Sequence, residues 1–291
     1  MVAITENINP DTVDIDLQNG IEIARLINNE DKKIADAVEK IIPAIGKAID
    51  LIADKLRKGG RMAYFGSGTS GRIGILDASE MPPTYGVSDD MIQGYISGGE
   101  RALRCAVENA EDSADFAAID LSLFNPSEND VVVAISASGN PQYATKVLEL
   151  ARLKGVTTIA ITSNPEAKFK PFADIFLCAE VGPEAVSGSS RMKSGTAQKM
   201  IVNMLSTGAM IRIGKTYKNY MVDLQINNAK LRERALRYVC KITGANVDEA
   251  QAILQLAGNV KVACVMLAKK CTEVEARALL RQNEGILRRI L

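Results

Sequence analysis

Tyr64-Phe65-Gly66-Ser67-Gly68-Thr69-Ser70-Gly71-Arg72 is a short apolar strand that runs straight into a loop of glycines and hydroxyls. Glycines let backbone approach a ligand closely. A helix opening at about Arg72 would aim its unpaired N–H groups and positive dipole end at an anion. The spacing Gly66-x-Gly68-x-x-Gly71 also fits a dinucleotide fingerprint, which by itself is a weak signal. Two features favour a phosphosugar over a pyrophosphate. The loop carries three hydroxyls, on Ser67, Thr69 and Ser70, and no acidic residue ends the next apolar run, Ile92 to Ser97, to grip a ribose; Glu100 lies too far beyond it.

Around this loop the chain alternates between short apolar runs and helical stretches. Met62–Phe65, Ile92–Ile96, Val131–Ile135, Thr157–Thr162 and Ile175–Cys178 read as buried strands, and Gln142–Leu153 as a helix between two of them. Such alternation implies an α/β fold with a parallel sheet covered on both faces, its ligands bound beyond the carboxyl ends of the strands. Upstream, Leu17–Asn28 has amphipathic spacing. A second helix is expected from about Asp31, kinked at Pro43 and stopped by Gly59-Gly60. Downstream, a long apolar helix runs from about Lys193 to Ile213, its methionines suiting core packing or a subunit contact. The chain is helical again past Asn227, and Ile242-Thr243-Gly244 reads as a boundary. Three short helices follow, Val247–Leu256, Val260–Lys269 and Glu273–Gln282. The expected organisation is an N-terminal helical segment (1–54), a sheet domain (55–243) and a small helical module (244–291).

Composition narrows the chemistry. The 291 residues, 47% hydrophobic and 24% charged, suit a globular protein, and 35 basic residues balance 35 acidic ones. No general attraction to nucleic acid or to an anionic membrane is therefore expected. No apolar run approaches the roughly 18 residues that cross a bilayer, and the first residues lack an export pattern, so a cytoplasmic protein is expected. The five cysteines are scattered and never spaced C-x-x-C, which suggests reduced thiols. Histidine is absent, so a Ser-His-Asp triad, a Cys-His pair and imidazole-ligated zinc are all excluded. Acid–base work falls to carboxylates, Lys, Tyr or Cys, with Glu favoured where its surroundings raise its pKa.

Two further segments share the first loop's character. Ser136-Ala137-Ser138-Gly139-Asn140 follows a strand and precedes a helix that Pro141 can open. Ser187-Gly188-Ser189-Ser190-Arg191-Met192-Lys193-Ser194-Gly195-Thr196 sets five hydroxyls and two cations before the long helix; a solvated loop with an N-cap would read the same way. Glu80 lies just before Pro82-Pro83, which end the preceding helix and fix the backbone beyond the carboxylate. Glu108, Glu111, Asp112 and Asp115 form an acidic run expected on a helix after Gly98-Gly99, which in general reads as a solvated face.

Three segments, GSGTSGRIGILDASEMPPTYG (66–86), GGERALRCAVENAEDS (98–113) and GPEAVSGSSRMKSGTAQK (182–199) with its continuation NMLSTGAMIRIGK (203–215), resemble the bacterial N-acetylmuramic acid 6-phosphate etherases. These are enzymes of the sugar isomerase (SIS) type. The likeness spans essentially the whole chain, and 182–199 also fits a signature shared with the glucokinase regulatory protein. The resemblance implies a three-layer SIS fold with a central parallel sheet, no cofactor and no metal, and a homodimer acting on a small sugar phosphate. It also implies a lyase that opens the sugar ring, removes the C2 proton, expels D-lactate from C3 and adds water back, in recycling of cell-wall sugars. Glu80 matches the acid that protonates the leaving oxygen and Glu111 the C2 base, with exchange of these roles left open. Ser67, Gly68, Thr69, Ser70, Ser136, Ser138, Gly139, Ser187, Ser189, Ser190, Arg191 and Lys193 are the expected substrate and phosphate contacts. One departure stands out. Where the family reads approximately ASGRTPY, this chain has Ala137-Ser138-Gly139-Asn140-Pro141-Gln142-Tyr143, without the Arg and Thr, and Ser136 is the expected replacement hydroxyl. The rival expectation is a non-catalytic sugar-phosphate sensor whose C-terminal helices bind a protein; such a sensor would need neither Glu80 nor Glu111.

Overall fold

The computed structural model describes residues 6–291, which divide into two compact units. The first comprises the chain up to Ser79 together with Asp90–Ser206; the second comprises Glu80–Asp89 and Thr207–Leu291.

The first unit opens with helices α1 (Gly20–Glu39) and α2 (Ile42–Arg57). The expected break at Asn28–Asp31 does not exist. Those polar residues continue α1 without interruption, and the chain turns instead at Lys40-Ile41, where Pro43 opens α2 from its first turn because a residue there needs no N–H partner. Strand β1 (Met62–Gly66) leads into α3 (Gly68–Ser79), and the short α4 (Met81–Tyr85) belongs to the second unit. Then come β2 (Ile92–Ile96), α5 (Gly99–Arg104), α6 (Ala114–Phe124), β3 (Val131–Ile135), α7 (Gln142–Leu153), β4 (Thr157–Thr162), β5 (Ile175–Cys178) and α8 (Lys193–Arg212). The five strands and α7 fall where the apolar runs predict. The acidic run does not form one helical face: it spans a loop, a single 3-10 turn at Ala110–Asp112 and the start of α6.

All five strands are parallel, in the order β2-β1-β3-β4-β5. The chain leaves β1 toward one edge and returns to β3 on the other side, so the order reverses between β1 and β3. In an open α/β sheet, such a reversal parts the following loops and leaves a crevice beyond the strand ends. The central strands β1, β3 and β4 are buried on both faces, whereas the edge strands β2 and β5 are buried only in part. Ala63, Phe65, Val132, Ala134 and Ala160 pack with Leu121 and Phe124 of α6 and with Tyr143, Val147 and Leu148 of α7. On the other face the Tyr64 hydroxyl donates to Asp77 of α3 at 2.8 Å and to the Val202 carbonyl of α8 at 3.3 Å. Asn203 and Ser206 of α8 donate to the other Asp77 oxygen, so one buried carboxylate joins β1, α3 and α8. Burial raises the Asp77 pKa, with these hydrogen bonds opposing, and lifts that of Tyr64 well above a phenol's usual value.

The second unit contains a two-stranded ribbon, β6 (Thr216–Tyr217) with β7 (Tyr220–Met221), and helices α9 (Ala229–Thr243), α10 (Val247–Ala257), α11 (Val260–Lys269) and α12 (Glu273–Gln282). Its core is built from small and branched side chains, among them Val222, Ala235, Val239, Ala250, Val260, Ala263, Val265 and Ala276. Asn228, Asn246, Asn259 and Thr272 cap these helices in turn, a regularity that explains why their boundaries are legible from sequence. Among the described residues no helix is long and apolar enough to cross a membrane.

Candidate active site

Beyond β1 and β3 lies a cleft of about 490 Å³, a volume in the range of small-molecule sites. It is lined from three directions: by Ser67, Gly68, Thr69 and Ser70 after β1, by Ser136, Ala137, Ser138 and Pro141 after β3, and by Gly188, Ser189, Ser190 and Arg191 before α8. Glu111 and Glu6 complete the wall. Residues separated by more than a hundred positions thus meet in one hydroxyl-rich concavity.

The first loop is tighter than its composition suggests, because α3 begins at Gly68 rather than Arg72. The glycines allow close approach and do not delay the helix. A Cβ on Gly71 would stand 2.6 Å from the Gly66 carbonyl oxygen and 2.6 Å from Ile96, so strand end and helix start can cross only without a side chain. The first-turn N–H groups of α3, with no helical carbonyl ahead of them, and its dipole suit an anion. Arg72 is turned away from this role: its guanidinium donates to the carbonyls of Ala102, Leu103 and Cys105, tying α3 to the end of α5.

In the second loop Ser136 accepts from the Gly139 N–H at 3.0 Å, and Ser138 accepts from the Asn140 N–H at 3.3 Å. Both hydroxyl protons are left to point elsewhere. Gly139, an expected contact, does not line the cleft. It turns the loop at φ +65°, packed so closely on Ala167 and Phe169 that a Cβ would come within 2.3 Å of Ala167. Asn140, standing where the family has Arg, accepts from the Lys168 N–H.

The third loop divides. Ser189, Ser190 and Arg191 line the cleft, whereas Ser187 donates to the Glu6 carbonyl at 3.1 Å and lies outside the lining. Lys193, expected to offer charge to a ligand, is buried and donates to Glu30 of α1 at 2.6 Å and to the Pro183 carbonyl. The start of α8 is also already served. Glu184, fully buried, accepts from the N–H groups of Lys193 and Ser194 at 2.8 and 3.0 Å. Burial pushes the Glu30 carboxyl up, but hydrogen bonds from Lys193, Lys33 and Asn9 outweigh it and hold the pKa at about 2.

Glu111 is exposed on the 3-10 turn and reaches the cleft through a buried fastening: Ser97, at the end of β2, donates its hydroxyl to the Ala110 carbonyl and its N–H to the Gly66 carbonyl. The turn that carries the carboxylate is thereby pinned to the loop after β1. Glu80 stands exposed at the start of the second unit, as the residue before α4, whose prolines occupy its first turn. The sequence offered no sign of Glu6, which arrives because Asn9 and Thr12 hydrogen-bond the carbonyls of Pro183 and Ala185. Gln198 of α8, which accepts from the Ser70 hydroxyl at 2.9 Å, likewise carries no local signal in the sequence.

The chain is similar to several known proteins. Residues 44–152 match the glucokinase regulatory protein N-terminal SIS domain and residues 109–208 match the SIS domain. Two solved structures share the fold at a TM-score of 0.50: a phosphosugar isomerase of capsule formation from Bacteroides fragilis (24% identity, covering 65% of this chain and 91% of that one) and a phosphoheptose isomerase from Francisella tularensis (18%, covering 66% and 98%). The N-acetylmuramic acid 6-phosphate etherase of Clostridium beijerinckii is 47% identical over 99% of this chain and 95% of its own length. The Vibrio cholerae etherase 2 is 46% identical over 99% and 94%. With near-complete coverage at this identity, the chain belongs to the N-acetylmuramic acid 6-phosphate etherase family.

Proposed function

We propose that this protein cleaves the lactyl ether of N-acetylmuramic acid 6-phosphate in recycling of cell-wall sugars. The observation that carries the reading is a single cleft in which Glu111 faces a cradle of hydroxyls and helix N–H groups suited to a phosphate. The phosphate rests on the first turn of α3 with Ser67, Thr69, Ser136 and Ser138, while Ser189, Ser190 and Arg191 close over the sugar. Glu111 removes the C2 proton of the ring-opened sugar, alpha to the C1 aldehyde. The C3–O bond then breaks, and Glu80 gives its proton to the departing lactyl oxygen. A C2=C3 double bond forms; water adds its hydroxyl to C3 and a proton returns to C2, giving N-acetylglucosamine 6-phosphate and D-lactate.

α3 has twelve residues, and a phosphate at its first turn lies about 17 Å along the helix axis from its last residue. The path from a hexose phosphate to its own C3 and the reach of a glutamate side chain together barely span that distance. We therefore read the working protein as a homodimer in which Glu80 of the partner subunit serves as the acid. The free cysteines suit the cytoplasm as its compartment.

Turnover in oxygen-18 water tests the chemistry: lactate leaves unlabelled and the label enters the sugar at C3. Glu111→Gln binds substrate but no longer exchanges the C2 hydrogen with deuterated solvent. Binding without turnover by the wild type would make the protein a sensor, and undiminished exchange in the variant would remove Glu111 as the base.

A further inference from the structure

Four serine hydroxyls face the cleft from the loops after β1 and β3, and one has the wrong polarity for an anion. Ser136 and Ser138 each accept a backbone N–H, so their own protons are free to be donated. Ser67 Oγ has no partner among the described residues. Ser70, by contrast, has committed its proton: it donates to Gln198 Oε1, an atom that can only accept. A phosphate dianion offers acceptors alone, so Ser70 in this state presents lone pairs to lone pairs. The other end of the same amide is at odds with its surroundings. Gln198 is 1% exposed, and its Nε2, a two-proton donor, finds no acceptor among the described residues. A buried unpaired donor is costly, and rotating the amide by half a turn would give Nε2 an acceptor in Ser70 Oγ and free the Ser70 proton.

We propose that Gln198 is a positioning residue for the phosphate, switching its amide as the anion arrives so that Nε2 donates to Ser70 Oγ and the Ser70 proton turns to the phosphate. The inference rests on the reading of the cleft as a sugar-phosphate site and adds a residue outside the cleft's lining. No covalent change is involved; one hydrogen bond reverses direction and a second forms to the ligand. The amide thereby couples anion binding to the packing of α8 on α3, where Gly195 of α8 leaves room beside Thr69 and Ile73.

The tests use the full-length protein and N-acetylglucosamine 6-phosphate, the product of the proposed reaction. Gln198→Met, close in shape but without an amide, should weaken the ester's binding and raise KM by about tenfold with kcat nearly unchanged, because the phosphate is remote from the bonds that break. In a Ser70→Ala background the same substitution should have no further effect, since the switch has nothing left to orient. In the wild type, the Gln198 side-chain amide protons should shift downfield in nuclear magnetic resonance spectra on addition of inorganic phosphate, and should not do so in Ser70→Ala. Additive effects of the two substitutions, or amide resonances that phosphate leaves unmoved, would overturn the inference even if the wild type turns substrate over. A wild type that neither binds nor converts the phosphate ester would instead sink the functional reading.

Discussion

At the scale of single residues, the pairing of Glu30 with Lys193 separates support from chemistry. Both side chains are buried, and the contact joins α1 to the loop that carries Arg191. Removing one member of such a pair leaves a buried charge without compensation, so Glu30→Gln should cost about 3–5 kcal/mol at pH 7, read from urea midpoints. The pH dependence has a definite sign. The carboxyl has a pKa of about 2 when folded against 4.5 as the ordinary value, so its stabilisation is complete above pH 4.5 and is lost as pH falls toward 2. That linkage is worth at most about 3 kcal/mol. The gap between wild type and Glu30→Gln should therefore narrow through this window; a gap independent of pH would show that the ion pair does not hold the loop. Lys193 looked like a ligand contact because its partner lies 163 positions away, and no local pattern announces a match at that distance.

At the scale of elements, the junction of β1 and α3 decides whether the cleft exists. Gly71→Ala would push a methyl group into the Gly66 carbonyl and Ile96, neither of which can withdraw without moving a strand. The expected cost is about 1–3 kcal/mol of stability together with loss of phosphate-ester binding, measured by thermal melting and calorimetry. Unchanged binding in that variant would mean that the loop's close approach to the helix is dispensable. The elements themselves were legible because their signals are local: short runs rich in apolar and β-branched residues mark the strands, and Asn or Thr caps open the last four helices. Two departures from local pattern share one cause. Polar residues at 28–31 suggest a break and glycines at 68–71 a loop, yet helix tolerates both when tertiary packing rewards it.

At the scale of the whole molecule, the proposed exchange of Glu80 between protomers can be tested with two inactive variants. Glu80→Gln and Glu111→Gln, co-expressed in equal amounts, should recover about a quarter of wild-type activity: half the dimers are mixed, and each mixed dimer rebuilds one of its two sites. No recovery despite demonstrated mixing would assign both carboxylates to one chain. Glu111 was legible only through its resemblance to a family segment, since an acidic run on its own reads as a solvated face.

Everything encoded within a turn or two of chain is legible in the residues alone: the strands, most helices, the two glycine–hydroxyl loops and, through histidine's absence, the restriction to other acids and bases. Which of those groups share a cleft, and which way their protons point, follows from the packed fold. It set Ser136 and Ser138 to donate, committed Ser70 to Gln198, turned Lys193 inward to Glu30 and drew Glu6 into the wall. The physical reason is that backbone preference depends on near neighbours along the chain, whereas the partner of a buried polar group is whatever the packed sheet and helices bring within about 3 Å of it.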